Sequence, residues 1–396
     1  MSDLFDRVID RQASDSAKWR CYGDDVLPLW VADMDFRAPE PVIRALHERV
    51  EHGIFGYGAD PSQLREVIVA RLQALYNWQV SADALVFLSG VVAGINLSCQ
   101  AVVSPGAGAL LTPPVYPPIL KAPALAGLQA HEMELIPDRD GRYGMDFDAF
   151  EESAGEKRAF LLCNPHNPVG RVFRRDELER MAEICLRHGM TICSDEIHCD
   201  LLFDGRQHIP IAALAPEVAD RTITLMAPSK TYNIPGLQCA VAIVPNRDLR
   251  CRLEAAGHGL TAHANILGVV AALAAYTQGD QWLAECLAYL QANRDFLGAY
   301  VERHLSGVTL SPTEGTYLAW LDCRDAGVPG NPHRFFLRQA RVALNDGKTF
   351  GPGGEGFVRL NFGCPRATLV SALDRMAEAL RHSGDAEISD DETATA

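Results

Sequence analysis

The sequence predicts a mainly parallel α/β domain followed by a smaller α+β domain. Fully apolar, strand-length runs alternate with helical patterns between about residues 80 and 245, and the texture then turns mixed and sparser. Apolar runs without a polar alternate face suit strands covered on both sides, the setting of a parallel sheet between helices. At 396 residues the chain is long enough for two or three domain-sized units and a deep core.

Taken in order, the strand candidates are Leu85-Val86-Phe87-Leu88, Ala109-Leu110-Leu111, Phe160-Leu161-Leu162-Cys163, Met190-Thr191-Ile192-Cys193, Ile223-Thr224-Leu225-Met226 and Cys239-Ala240-Val241-Ala242-Ile243-Val244. Between the third and fourth, Leu178, Met181, Ala182 and Cys185 recur at helical spacing. Strand, helix and strand over about 30 residues make a βαβ unit, and repetition of that unit makes a parallel sheet. The pattern over 271–305 predicts a long helix, interrupted near Gly279. Beyond it, Thr316-Tyr317-Leu318-Ala319-Trp320-Leu321 reads as a strand, 332–341 as a polar helix, 351–356 as a Gly-rich loop and Phe357-Val358-Arg359-Leu360 as a strand. Residues 387–396 are acidic and small, with little to bury, so a frayed tail is expected.

Composition narrows the function classes. Lys and Arg total 36 against 51 Asp and Glu, a formal charge of −15, so no broad basic face is available for nucleic acid. The 32 Gly and 23 Pro are dispersed, which excludes collagen-like and largely disordered chains. Eleven Cys, unevenly spaced and partly within apolar runs such as Thr191-Ile192-Cys193, read as reduced core thiols in a cytoplasmic protein. Met1-Ser2-Asp3-Leu4-Phe5-Asp6 lacks the basic and apolar stretches of a secretory signal. Residues 84–120 carry no charge, yet Ser104-Pro105-Gly106 and Pro113-Pro114 divide them into strand- and helix-sized pieces, so they read as buried core and not as a membrane span.

Ligands of open α/β sheets bind at the carboxyl edge, and four strand-to-loop junctions there are chemically loaded. Ser89-Gly90-Val91-Val92-Ala93-Gly94 opens a helix whose free N–H groups suit a phosphate, or it is only a tight turn. Asn164-Pro165-His166-Asn167-Pro168-Val169-Gly170 holds two Asn amides in a rigid loop, for a ligand or for the turn itself. Asp195-Glu196-Ile197-His198 projects a carboxylate from a strand end, as a functional acid or as a helix cap. Ser229-Lys230-Thr231-Tyr232-Asn233 places a lysine at a strand end, either solvated or partly desolvated toward a nucleophilic role. Cys193, His198 and Cys199 lack the matching pair of a zinc site, and Gly106-Ala107-Gly108 precedes its strand, the reverse of the dinucleotide fingerprint.

Together and in this order, the four junctions resemble the fold type I family of pyridoxal-phosphate enzymes, the aspartate-aminotransferase-like group, along nearly the whole chain. The motifs Trp30-Val31-Ala32-Asp33-Met34-Asp35-Phe36, Gly53-Ile54-Phe55-Gly56-Tyr57, Ser194-Asp195-Glu196-Ile197-His198, Ser229-Lys230-Thr231-Tyr232-Asn233-Ile234-Pro235 and Arg359-Leu360-Asn361-Phe362-Gly363-Cys364-Pro365-Arg366 are similar to the MalY/PatB type of cystathionine β-lyase. The resemblance implies a large domain with a mainly parallel seven-stranded sheet between helices. The division it suggests is 1–48 as N-terminal arm and part of the small domain, 49–285 as the large domain, 286–385 as the small domain and 386–396 as tail.

It also implies pyridoxal 5′-phosphate as cofactor, carried on Lys230 as the internal aldimine, with Asp195 at the ring nitrogen, Tyr116 stacked on the ring and Asn167 at its phenolic oxygen. A carboxylate at that nitrogen keeps the ring cationic and able to accept electrons. Arg359 matches the clamp for the substrate carboxylate, a task suited to a planar bidentate group, with Asn167 and Tyr116 lining the same site. Gly90, Val91 and Ser229 fall where the phosphate binds, and Tyr57 matches a residue that reaches it from the second subunit of a homodimer. His198 is expected near the ring. The chain departs from many aminotransferases in having Gln238 where a phosphate-binding Arg is common and Ala227 where a Ser is common.

The activity implied is elimination from L-cystathionine or a related L-cysteine S-conjugate to a thiol such as homocysteine, pyruvate and ammonia. Two alternatives share the residues: an aminotransferase of a small L-amino acid, and a regulatory protein that retains the fold. Small-molecule substrates, with no nucleic-acid or membrane partner, are expected in each enzymatic reading.

Overall fold

Strand formation follows the apolar runs. The computed structural model describes residues 4–104, 106–155, 157–261 and 264–382. Its central sheet has seven strands: β1 (Leu85–Leu88), β2 (Gly108–Leu111), β3 (Gln129–Glu132), β4 (Lys157–Cys163), β5 (Thr191–Asp195), β6 (Thr222–Met226) and β7 (Ala240–Ile243). Their order is β1-β7-β6-β5-β4-β2-β3. β7 runs antiparallel to both neighbours, and the remaining pairs are parallel. The inner strands β4, β5 and β6 are buried almost throughout. β3 is exposed at every residue; its polar Gln-Ala-His-Glu sequence gives no apolar signal, so it is absent from the sequence reading. At a sheet edge such a polar strand discourages pairing with other chains.

Helices cover both faces. On one, Val91–Val102 packs Ile95 and Cys99 against Ala109, Leu161, Ile223 and Leu225. Gly94 lets this helix lie close to the sheet, since a Cβ there would stand 2.7 Å from a Leu225 methyl. On the other face, Arg175–Arg187 packs Leu178, Met181 and Cys185 against Phe160, Leu162 and Ile192. Each such Leu, Ile or Phe contributes about 1.5–3 kcal/mol by leaving water.

The long helical pattern is two helices, Ile266–Gln278 and Asp280–His304, broken at Gly279 as expected. A Cβ at Gly279 would come within 2.5 Å of the Tyr232 ring. The 285/286 boundary therefore falls inside the second helix. Beyond it lies an antiparallel sheet of β8 (Thr309–Leu310), β9 (Leu318–Asp322), β10 (Asn345–Asp346) and β11 (Phe357–Asn361), in the order β8-β9-β11-β10.

Two elements differ from expectation. β9 begins at Leu318 and not at Thr316, because Thr316 adopts a left-handed backbone (φ 71°) and gives its N–H to Leu201 O at 2.7 Å. The expected helix over 332–341 is one α-turn, Pro332–Phe335, followed by a π-turn, Phe336–Ala340, which ends at Arg341 in the left-handed region.

The N-terminal segment belongs to this second half. Leu27–Pro28 pairs in parallel with Val342–Ala343, and Phe5, Leu29, Met34 and Phe36 share a core with Trp282, Tyr289 and Leu369. Residues 383–396, including the expected tail, lie outside the described residues. All eleven cysteines are free thiols, nine of them buried. Among the described residues no helix is long and apolar enough to cross a membrane.

Candidate active site at the carboxyl edge of the sheet

β1, β2, β4, β5 and β6 point the same way, so the loops that follow them gather at one edge. After β4, the 164–170 loop is tied down from within. Asn164 accepts the Phe173 N–H at 3.1 Å, and its own N–H reaches Asp195 O at 2.9 Å. Buried His166 bridges Cys163 O and Pro114 O at 3.2 and 2.9 Å, joining this loop to the one that carries Tyr116. Burial lowers its pKa to about 4, so it is a neutral structural link. Of the two loop amides only Asn167 faces the cleft, where its Oδ1 accepts from Arg359 at 2.9 Å.

The acidic pair after β5 divides in the same way. Glu196 turns inward, accepting from Ser194 Oγ at 2.8 Å and lying 2.7 Å from His208 Nε2. Asp195 accepts the Ile197 N–H at 3.1 Å. Burial, opposed by that hydrogen bond and reinforced by the Glu196 charge, pushes its carboxyl up to about 7. His198 is buried with Nδ1 unpartnered, its ring edge-on to Tyr317 at 6.0 Å. Its pKa is held well below the usual value by burial, with the Lys230 and Arg359 cations adding to the effect.

Lys230 lies in the short turn Pro228–Thr231 after β6. Its Nζ donates to Ala32 O at 2.6 Å, and burial with the Arg359 charge lowers its pKa to about 8. Arg359, in β11, enters from the second half of the chain. It donates to Asn167 Oδ1, to Trp30 O at 2.7 Å and to Asn345 Oδ1 at 2.5 Å, with Phe350 below its guanidinium. Burial lowers even this cation to about 10, and its Nε has no partner. Tyr116 caps Pro117–Leu125 beside these groups; burial, then the Asp195 charge, raises its phenol.

Gly90, in extended conformation, starts Val91–Val102 with no side-chain cap and open space around it, leaving first-turn N–H groups free for an anion. Ser229 is half-buried beside Lys230. Tyr57 is fully exposed on residues 53–60 and meets none of these residues within its own chain.

Sequence reasoning missed several contributors. The Ala32 carbonyl takes hydrogen bonds from both Lys230 and Tyr317, the latter at 2.8 Å. A carbonyl has no sequence signature, and Tyr317 reads as an ordinary strand aromatic. Asn361 and Asn233, from the two halves of the chain, both bond the 30–36 backbone.

Residues 24–376 match the family described as aminotransferase class I and II. The chain belongs to that family. Cystathionine beta-lyase PatB of Bacillus subtilis (strain 168) is 39% identical over 386 residues, covering 95% of this chain and 99% of its own. Among solved structures, OvoB superposes with a TM-score of 0.91 at 44% identity, covering 95% of this chain and 98% of its own. Cystalysin from Treponema denticola, which contains pyridoxal 5′-phosphate, gives 0.90 at 30% identity, with 95% and 98% covered. The family depends on this cofactor, and the chain is a pyridoxal-phosphate enzyme of its carbon–sulfur lyase type. Its fold is type I, with the mostly parallel seven-stranded sheet that the sequence resemblance implied.

Proposed function

We propose that this edge holds pyridoxal 5′-phosphate with Lys230 at its aldehyde carbon, Asp195 at its ring nitrogen, Asn167 at its phenolic oxygen and Tyr116 beside its ring. Gly90, Val91 and Ser229 surround the phosphate, and the substrate is an L-cysteine S-conjugate such as L-cystathionine. The observation that carries this reading is a set of three charges, Asp195, Lys230 and Arg359, none with an ion-pair partner among the described residues. Unpaired buried charge is costly, so it persists where a ligand completes it. The residues fit the cofactor on these grounds. An acid at about 7 ionises readily once a protonated ring nitrogen faces it. An uncapped helix start with open space receives a phosphate.

When bound, the cofactor supplies an electron sink for the pair left on Cα. Arg359 takes the substrate α-carboxylate. Five N–H groups less the three already donated leave Nε–H and one Nη1–H without protein acceptors, available to ligand oxygens. Lys230, with its pKa lowered to about 8, is partly neutral near pH 7 and so serves as nucleophile toward the cofactor and then as the base for the Cα proton. Ala32 O holds the resulting ammonium in place. His198, kept neutral, adds no third cation to the site. The Cβ–S bond then breaks with its electron pair on sulfur, the thiolate takes up a proton, and water hydrolyses the released three-carbon enamine to pyruvate and ammonia. From L-cystathionine the thiol is homocysteine.

The active unit in this reading is a homodimer. Residues 53–60 are exposed throughout, with Ile54, Phe55 and Tyr57 among them. A second copy over this apolar segment buries it and brings Tyr57 to the phosphate of the neighbouring site. The reading is tested by incubating the purified protein with L-cystathionine and measuring thiol and pyruvate. Equal amounts of both are expected, and amino transfer to an added keto acid without thiol release overturns it.

A further inference from the structure

The N-terminal arm carries a buried ion cluster that the reaction above does not use. The Lys18 side chain has no exposed surface (0%). Its Nζ donates to Asp35 Oδ2 at 2.8 Å and to Asp33 O at 3.3 Å, and lies 3.5 Å from Asp33 Oδ1. Arg11 grips the same two acids, Nη1 on Asp35 Oδ1 at 2.6 Å and Nη2 on Asp33 Oδ2 at 2.8 Å. Trp19 Nε1 adds a bond to Asp35 Oδ1 at 2.9 Å. Buried pairs of this kind are no better for stability than apolar side chains of equal volume. What they add is direction, because each carboxylate is met from two sides.

The object they fix is the 30–36 backbone. This segment hydrogen-bonds the reacting groups through two carbonyls: Trp30 O accepts from Arg359 at 2.7 Å, and Ala32 O accepts from Lys230 at 2.6 Å and from Tyr317 at 2.8 Å. Asp33 and Asp35 follow Ala32 by one and three residues. Asn361 bonds Val31 O and Asp33 O, while Asn233 bonds Met34 N–H and the carbonyls of Met34 and Phe36. The asparagines hold the segment from the two halves of the chain, and the ion cluster holds it from the N-terminal arm.

We propose that Arg11 and Lys18 are positioning residues: their grip on Asp33 and Asp35 sets the 30–36 backbone where Ala32 O meets Lys230 and Trp30 O meets Arg359. This rests on the roles given above to Lys230 and Arg359. A displacement of about 1 Å in such contacts costs roughly 10²-fold in rate.

The test uses the full-length holoprotein as wild type, Arg11→Gln, Arg11→Lys and Lys18→Met, with amide hydrogen exchange followed without substrate and kcat and KM measured separately. Arg11→Gln and Lys18→Met are expected to speed exchange within 30–36 about tenfold, to leave β4, β5 and β6 protected, and to lower kcat/KM by about 10–100-fold. Arg11→Lys is expected to recover most of both. Arg11 is partly exposed, so its variants carry the test even if Lys18→Met fails to fold. Wild-type exchange at 30–36 in Arg11→Gln, exchange rising equally across the sheet, or no recovery in Arg11→Lys overturns the proposal. If wild type itself shows no thiol release, the substrate reading falls, and the exchange comparison still decides this one.

Discussion

Replacing Arg359 tests the proposed carboxylate clamp most directly. Arg359 has two N–H groups without protein acceptors, and hydrogen bonds from a charged donor are worth about 1.5–3 kcal/mol each. Arg359→Met removes both, about 3–6 kcal/mol, or roughly 10²–10⁴ in kcat/KM at 1.4 kcal/mol per decade. Arg359→Lys keeps a point charge but loses the fork, so about 10–100-fold is expected, mostly in KM. The assay is pyruvate formation from L-cystathionine, with the visible absorbance of each variant confirming bound cofactor. Arg359 touches the proposed cofactor cradle through its bond to Asn167 Oδ1, so the variants are compared at saturating cofactor, where occupancy should match wild type. Retention of kcat/KM within about threefold in Arg359→Met, or a loss that tracks cofactor occupancy, refutes the clamp.

Asp195→Asn should cut turnover by about 10²–10³ through loss of the ring-nitrogen charge, measured at saturating cofactor. In the cofactor-free protein its sign is opposite. A carboxyl raised to about 7 gives stability that is full below the ordinary carboxylate pKa and lost as pH climbs through 7, so the Asn variant should match wild type near pH 4 and exceed it at pH 8 in urea melts. Glu196→Ala strips the acceptor shared by Ser194, His208 and the Ile211 N–H and should cost about 3–5 kcal/mol, read as a lower urea midpoint. Tyr57→Ala should speed cofactor dissociation about tenfold or more, as expected for one bond to a charged phosphate; an unchanged rate removes Tyr57 from the site.

What was legible in the sequence was local. Apolar runs located six of the seven sheet strands, and the junction loops located Asp195, Asn167 and Lys230, because strand ends and the residues after them are neighbours in the chain. β3 escaped because an exposed edge strand has no need of apolar residues. The reversal of β7 left no mark, since an antiparallel strand buried on both faces has the same composition as a parallel one. Nearby residues of one chemical type were divided by the family resemblance and not by composition or spacing. Asn164 and Asn167, or Asp195 and Glu196, are equivalent in composition, and in the structure the direction of each side chain separates those tied into the fold from those facing the proposed site. The Arg11 and Lys18 cluster, which joins residues 15 to 24 positions apart, was invisible for the further reason that each member alone resembles a surface charge.

The parallel pairing of Leu27–Pro28 with Val342–Ala343 has a practical consequence for recombining this protein with its relatives. A chimaera that imports only the carboxy-terminal third would seat a foreign β11 arginine against a native first stretch fitted to another partner. The natural cassette is discontinuous, both ends of the chain travelling together, and crossover libraries built on a single breakpoint should return soluble but idle hybrids.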